Sequence, residues 1–348
     1  MSAFLAIDAP GLMTTVQDTG RPGYQHAGVP VAGALDQDAF GMVNRIVGNA
    51  PGEACLEILF QGPAATVEAE SLRLATGGSG ARLEIAGQPT KVIGGFESVR
   101  LERGQQFRVG ALGGGSVAYL AVEGGFAVEP VLGSRSTYMR GGFGGFEGRA
   151  LKAGDRVPLA RDTAEKRGER FLPARTLPMP NRFRVVMGPQ EDRFTAAGID
   201  ALLKGTYKVT AAADRMGFRL EGPQIEQTSG FDIVSDGIAP GAIQVPGSGQ
   251  PIVLLADRGT TGGYTKIATV ISADLPAFGR LCPGDAVRFE KVSLEQARHA
   301  AAAHRNTLQS LADQIAEVPP GGFQLSASIE EGLLHQNLVS GVVDATEP

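Results

Sequence analysis

The chain has 348 residues, with 32 lysines and arginines against 37 aspartates and glutamates, for a net charge of −5. This length favours two domains of roughly 150 residues each. The acidic balance and the lack of a basic stripe exclude a nucleic-acid-binding protein, and 49 scattered glycines without a Gly-X-Y period exclude collagen. Two distant cysteines exclude a disulfide framework or zinc ribbon. Because no leader or long apolar segment stands out either, we expect a cytoplasmic protein.

Short apolar runs recur along the whole chain and predict strands. Most are four to eight residues long and are bounded by Gly, Pro, Asp or Asn, which favours a mainly β fold of barrels or sandwiches over βαβ units. These runs cover residues 72–76, 81–86, 98–101, 106–109, 116–122, 182–187, 231–235, 251–256 and 266–271.

Three helices are predicted between the strands. The first begins at Asp36 as N-cap and ends at Gly48, and the second covers residues 190–203. The third covers residues 293–315, where Ser293 and Gln296 have the spacing of a capping box. We expect this last helix to pack outside the barrels.

The charge and proline content of residues 161–181 predicts a linker between two halves. The predicted domains are therefore 1–160, 182–290 and a C-terminal helix with its extension, 291–348. Weak echoes between the halves, such as residues 151–157 with 281–287, indicate a duplicated barrel.

Two loops combine polar side chains with glycine-rich turns, which is typical of binding loops. The first contains Gln17-Asp-Thr-Gly-Arg-Pro-Gly23. In it, Asp18 would serve either as a general base or as an ion-pair partner of Arg21. The second contains Gly259-Thr-Thr-Gly-Gly-Tyr-Thr-Lys266, whose glycines would either present N–H groups to a ligand or form a tight strand connection.

Lys266 begins an apolar strand, so its ammonium would lie at a barrel mouth and either polarise a carbonyl or bind a phosphate or carboxylate, or else extend along the strand to solvent. Gln244 is a polar residue among apolar neighbours, and it needs a substrate amide or a backbone group as partner. Arg135 and Tyr138 form a third polar cluster, and His26 is the one histidine in a motif-rich loop.

Seven blocks of the sequence carry a family resemblance, at residues 14–25, 28–30, 33–34, 47–49, 132–138, 236–246 and 257–266. In this order they resemble the biotin-dependent carboxyltransferase family, which also includes proteins called allophanate hydrolase subunit 2, KipA or the C-type subunit of 5-oxoprolinase. The similarity extends over about residues 4–290, and the tail at residues 337–344 is also similar to the end of family members.

The resemblance implies two cyclophilin-like β-barrels with a few peripheral helices, acting with a smaller partner that is KipI or the B-type subunit of 5-oxoprolinase. The leading hypothesis is a subunit of an ATP-dependent 5-oxoprolinase, an amide or lactam hydrolase that opens 5-oxoproline to glutamate, with a possible third lactam-utilisation subunit. The alternatives are a biotin-dependent carboxyltransferase acting on urea or a related amide, with biotin carried in trans, and a non-catalytic regulatory binding module.

Either reaction needs N–H donors and a cation for a carbonyl oxygen that becomes more negative. We predict Asp18, Lys266 and Arg21 as catalytic residues and expect the two loops to converge on one cleft. No histidine spacing predicts a metal site, and no common nucleotide-binding loop occurs, so ATP would be handled through the assembled complex. The predicted substrate-binding residues are Gln17, Tyr24, His26, Arg135, Tyr138, Gln244, Asp257, Thr260, Thr261 and Tyr264.

Overall fold

Strands dominate the computed structural model, which describes residues 3–174 and 176–319. Two sheets and one helix come from the first part of the chain: β1 (Phe4–Ala9), β2 (Met13–Gln17), α1 (Gln37–Val47), β3 (Cys55–Leu59), β4 (Ala64–Val67), β5 (Ser71–Gly77), β6 (Leu83–Ile85), β7 (Lys91–Ile93), β8 (Glu97–Glu102), β9 (Gln106–Val109), β10 (Val117–Val122), β11 (Arg156–Pro158) and β12 (Arg170–Phe171).

The rest of the chain adds further strands and three helices: β13 (Phe183–Met187), α2 (Ala196–Lys204), β14 (Tyr207–Asp214), β15 (Gly217–Glu221), β16 (Asp232–Gly237), β17 (Ala242–Gln244), β18 (Ile252–Leu254), β19 (Thr261–Tyr264), β20 (Lys266–Val270), α3 (Leu275–Gly279), β21 (Ala286–Val287), β22 (Phe289–Lys291), α4 (Leu294–Asp313) and β23 (Ala316–Glu317). Of these, β16 and β19 pair as a separate two-stranded sheet, and β23 joins a sheet of the first half. Short 3₁₀ turns cover Gln25–Ala27 and Glu191–Arg193.

The first half packs two sheets face to face, in the orders β11-β1-β4-β9-β6-β7 and β2-β3-β10-β5-β8-β12-β23. Strand β10 is buried along its whole length, which accounts for its uninterrupted apolar sequence. Leu120 and its alternate neighbours lie in the core between the sheets, whereas Tyr119 and its alternate neighbours pack on the side of α1. Because side chains alternate across a strand, both faces of β10 are buried and both must be apolar.

Helix α1 has the predicted boundaries because both ends are specified locally. The Asp36 carboxylate accepts hydrogen bonds from the N–H groups of Asp38 and Ala39, and Gly48 ends the helix with a φ of 86°. Phe40, among other apolar side chains, is buried against the sheet. Burial of such a ring stabilises the packing by roughly 1.5–3 kcal/mol.

The second half forms an eight-stranded sheet in the order β21-β14-β15-β18-β17-β20-β13-β22. Only Arg288 separates β21 from β22 in the chain, so the two edge strands are held side by side and the sheet nearly closes on itself. Aromatic rings of Phe183, Phe218 and Phe278 meet in its core. The predicted fold class, mainly β with two barrels and a few peripheral helices, is confirmed.

The other two predicted helices are present with one change of boundary. Helix α2 begins only after Thr195, whose hydroxyl accepts from the N–H of Gly198 at 3.0 Å; residues 191–193 form a 3₁₀ turn instead. Helix α4 begins with the predicted capping box of Ser293 and Gln296. In the part of the chain that the structure describes, none of the helices combines the length and apolar character of a membrane span.

Residues 161–181, predicted as a linker, pack in part against the first half, while the carbonyls of Leu177 and Pro178 accept hydrogen bonds from Arg280 of the second half. Strand β12 pairs with β8, Leu172 is fully buried, and the Arg73 guanidinium binds the Glu169 carboxylate at 3.1 Å. The segment is therefore held in place, while the predicted domain limits stay a prediction. The extension after residue 319, including residues 337–344, lies outside the described residues.

Candidate functional site

A buried lysine lies beneath the two-stranded sheet formed by β16 and β19. Lys266 begins β20, is only 3 % exposed, and places its Nζ 3.0 Å from Oδ2 of Asp236 on β16. Asp236 is itself exposed, and the hydrogen bond from Lys266, with further help from the Gly237 N–H, lowers the pKa of its carboxyl. The ammonium is thus held by a carboxylate that solvent or a ligand can reach.

Gln244 adds an unused donor to the same place. It pairs with Lys266 across neighbouring strands, is buried, and its Nε2 has no hydrogen-bond partner within the described chain. A Cβ added to Gly262 would come within 2.6 Å of that Nε2, so the backbone of β19 lies directly over the amide. Gly262 is in turn the cross-strand partner of Asp236. Lys266 and Gln244 therefore point at the same stretch of the two-stranded sheet.

We call Lys266, Asp236 and Gln244 the Lys266 cluster. An ammonium and an amide N–H, both shielded from water, are the donors that stabilise negative charge developing on a carbonyl oxygen. The unpaired amide matters because a buried polar group without a partner costs about 1–3 kcal/mol, which a ligand oxygen would relieve. The geometry suits binding of a carbonyl or a carboxylate.

Predicted residues of the second loop lie on or next to β19, the strand that covers this cluster. Tyr264 is 40 % exposed and its ring centroid lies 6.3 Å from that of Phe231. Thr261 is exposed on β19, and the carbonyl of Thr260 accepts from the Ile238 N–H at 3.1 Å. The side chains of Thr261 and Tyr264 are therefore open to solvent.

Asp18, predicted as a general base, is fully engaged in holding a loop. Its carboxylate accepts hydrogen bonds from the hydroxyls of Ser134 and Ser136, at 2.6 and 2.5 Å, and from the N–H groups of Gly20 and Arg135, at 2.8 and 2.6 Å. The side chain is buried. Such a set of donors fixes the loop, so the residue resembles a structural anchor.

Arg21 is also buried and binds backbone rather than Asp18. It donates to the carbonyl of Ser136 and, at 3.4 Å, to that of Val131, and it lies 5.1 Å from the centroid of the Phe143 ring. Burial lowers the pKa of its guanidinium, while the charges of Asp18 and Asp257 oppose that effect. Asp18 therefore does not form the ion pair with Arg21 that was one of its two predicted roles, and hydroxyl and backbone N–H groups bind its carboxylate instead.

The other predicted residues of the first half lie around this anchored loop. Gln17 is buried and donates to the Thr137 carbonyl at 3.2 Å, whereas Tyr24 and His26 belong to the surface 3₁₀ turn. Arg135 donates to the Val128 carbonyl at 2.9 Å, and Tyr138 packs its ring on Phe143 at 5.6 Å between centroids.

Asp257 binds an arginine that joins the two halves. Its carboxylate receives two hydrogen bonds of 2.9 Å from Arg215, which also binds Glu57 and the carbonyl of Gly33 in the first half. Tyr119 donates to the same Glu57 at 2.7 Å. Asp257 therefore has a buried structural partner. Glu57 was detectable as a lone acid in the apolar strand Cys55–Leu59.

A cavity of about 420 Å³, which we call the interface cavity, lies between the two halves and α4. Neither Asp18 nor Lys266 is among its lining residues; Thr19, next to Asp18, does line it. On the other side the cavity is lined by Ser272, which follows the C-terminal end of β20. Lys266 is at the opposite end of β20, and the five residues of this strand separate its two ends by roughly 13 Å. The expected convergence of Asp18 and Lys266, which were predicted as catalytic, on one cleft is not observed at this cavity.

Sequence reasoning missed three polar residues of this cavity. Arg258 stands inside one of the seven motif blocks, His304 falls on a helix whose outer face is expected to be exposed, and Asp38 carries no motif signal beyond its place in α1. His304 Nε2 lies 3.0 Å from Oδ1 of Asp38, and this hydrogen bond raises the pKa of the imidazole. Across residues 3–174 and 176–319, no group of three or more His, Cys, Asp and Glu residues is placed to hold a metal ion.

Similarity to known proteins identifies the family of this chain. A model of the carboxyltransferase domain, subdomains A and B, matches residues 27–291. The chain belongs to this carboxyltransferase family. It is 37 % identical over 312 residues to the C-type subunit of 5-oxoprolinase from Escherichia coli K12, covering 88 % of this chain and 97 % of that protein.

Two further similarities extend the comparison across the family. The C-type subunit of 5-oxoprolinase from Haemophilus influenzae is 32 % identical to this chain over 283 residues, covering 81 % of this chain and 89 % of that protein. The crystal structure of the K. lactis urea amidolyase superposes with a TM-score of 0.81 at 29 % identity, covering 94 % of this chain and 20 % of that one. This carboxyltransferase chain thus spans about a fifth of the urea amidolyase.

Proposed function

We propose that this carboxyltransferase-family chain is the C-type subunit of an ATP-dependent 5-oxoprolinase, which converts 5-oxoproline, ATP and water to glutamate, ADP and phosphate. The similarity to the Escherichia coli protein carries the proposal, because it extends over nearly the full length of both chains.

The Lys266 cluster supplies the chemistry for this role. In the proposed site, Nζ of Lys266 and Nε2 of Gln244 donate to the lactam oxygen as it gains negative charge. Exposed Asp236 gives up the ammonium when the substrate enters. Asp18 and Arg21, which we predicted as catalytic, act in this proposal by keeping the first loop rigid.

The activity is proposed to need partners: a smaller protein, either KipI-like or the B-type subunit of 5-oxoprolinase, and a third lactam-utilisation subunit. ATP is bound by the assembled complex, since the sequence contains neither of the common glycine-rich nucleotide loops. We place the complex in the cytoplasm, because Cys55 and Cys282 are both free thiols, as a reducing compartment requires.

The test is reconstitution with the full chain. The two partner subunits are added to it, and 5-oxoproline-dependent ATP hydrolysis and glutamate formation are measured. We expect no turnover by the chain alone, turnover by the complex, and loss of at least a hundredfold in rate with Lys266→Ala. Lys208→Ala, an exposed lysine on β14 of the same barrel, is the matched control and should leave the rate unchanged. Turnover by the isolated chain, or a fully active Lys266→Ala complex, would contradict the proposal.

Carboxyl transfer is the second candidate, favoured by the close superposition on the urea amidolyase. It predicts carboxylation of urea that depends on bicarbonate and ATP when a biotin carboxylase with its biotinylated carrier replaces the lactam-utilisation subunit, because ATP activates bicarbonate, biotin receives the carboxyl group and urea takes it from carboxybiotin. A third outcome, in which neither reaction occurs although the partner binds tightly, would point to the non-catalytic regulatory module.

A further inference from the structure

The interface cavity holds a buried positive charge without a counter-charge. Arg258 lines the cavity and is only 4 % exposed. Its Nε donates to the carbonyl of Ile238 and its Nη1 to that of Leu255, both at 3.1 Å. No carboxylate pairs with it in the described part of the chain, and no hydrogen bond there uses Nη2. Burial alone accounts for the lowered pKa of this guanidinium.

Burying a charge without a partner lowers the stability of the fold, and a bound group of opposite charge offsets that cost. The other charges around the cavity do not do so. His304 and Asp38 pair with each other, and Arg305 is exposed on α4. The balance leaves one buried positive charge, so a ligand with a single negative charge matches it.

The remaining walls set the size and the character of that ligand. They are largely apolar, and the volume of about 420 Å³ falls in the range of small-molecule sites. The apolar lining includes Val31, Leu35, Leu255, Ala273, Leu275 and Pro276. Helix α4 closes one side with Ala301 and His304, and it lies outside the residues that match the family model.

We propose that the interface cavity binds a small organic monocarboxylate with an apolar body, and that Arg258 binds its carboxylate. This site is separate from the Lys266 cluster. The proposal does not rest on the proposed function, because binding is measured on the chain alone.

Isothermal titration of the full chain with hexanoate and with the neutral hexanamide tests the charge requirement. We expect hexanoate to bind at least tenfold more tightly than hexanamide. Arg258→Met should remove this difference, whereas Arg219→Met, an exposed arginine on β15, should preserve it.

A second variant tests the location without touching the charge. Ala273→Leu fills the cavity from the wall and should weaken hexanoate at least tenfold while circular dichroism shows the fold unchanged. Equal binding of hexanoate and hexanamide, unchanged binding by either cavity variant, no binding at millimolar concentration, or Arg258-dependent binding of inorganic phosphate in place of hexanoate would each overturn the proposal.

Discussion

Asp36 couples folding of this chain to pH in a measurable way. It is fully buried as the N-cap of α1, where its Oδ1 accepts from two N–H groups at 3.1 Å. Its Oδ2 lies 3.3 Å from Nε of Arg280, close enough for an ion pair, yet the geometry makes no hydrogen bond. Burial raises the pKa of Asp36 from 3.8 to about 7, and the charge of Arg280 opposes that rise.

The sign follows from proton uptake. Between pH 3.8 and about 7 the folded chain holds a proton on Asp36 that the unfolded chain has lost. The contribution to the free energy of unfolding is therefore complete below pH 3.8 and is lost as pH rises through 7. At about 1.4 kcal/mol per pH unit, and with the group half titrated at pH 7, the loss is roughly 2 kcal/mol between pH 5 and pH 7 and roughly 3 kcal/mol by pH 8.

Asp36→Asn keeps the cap, because Asn caps helices as well as Asp, but it removes the titration. The free energy of unfolding in urea is measured for both chains from pH 5 to pH 8. We expect the value for Asp36→Asn minus that for the wild type to rise by roughly 3 kcal/mol over this range. A constant offset from the new contact with Arg280 cancels in this slope. Exposed Asp192→Asn is the control and should give no slope. Parallel profiles for Asp36→Asn and the wild type would refute the buried, protonated carboxyl.

Three further changes probe other parts of the molecule. Arg215→Met leaves two buried carboxylates unpaired between the halves and should lower the free energy of unfolding by about 3–5 kcal/mol, against less than about 0.5 kcal/mol for exposed Arg219→Met. His304→Gln should lower the stability more at pH 6 than at pH 9, because the stabilisation from the raised pKa beside Asp38 is present below 6.5 and is lost as pH rises through the folded pKa. Gly262→Ala should displace the amide beneath it and reduce 5-oxoproline turnover by the complex at least tenfold.

Each of these has a result that would count against it. Equal urea midpoints for the two arginine variants would deny the network between the halves. The charges of Asp274 and Arg184 also act on His304. If His304→Gln lowers the free energy of unfolding equally at pH 6 and pH 9, the stabilisation comes from packing and not from the charged imidazole. Gly263→Ala, whose added Cβ would meet its nearest atom only at 3.4 Å, is the control for Gly262→Ala, and equal turnover by both would remove the steric argument.

The local elements were readable from the sequence because their determinants lie within a few residues. Asp36 and Gly48 specify both ends of α1, and Ser293 with Gln296 specifies the start of α4. The apolar run of β10 and the seven ordered motif blocks likewise led to a mainly β fold and to the carboxyltransferase family, which were both confirmed.

Only the tertiary structure decided which polar residues meet. Asp18 is bound by serines 116 and 118 positions away, and Arg215 reaches Glu57 across 158 positions. The unpaired Arg258 and the cavity it lines exist only because two barrels and α4 pack together. Helix caps and strand alternation depend on neighbours in the chain, whereas partners for buried charges are set by how the sheets close and dock.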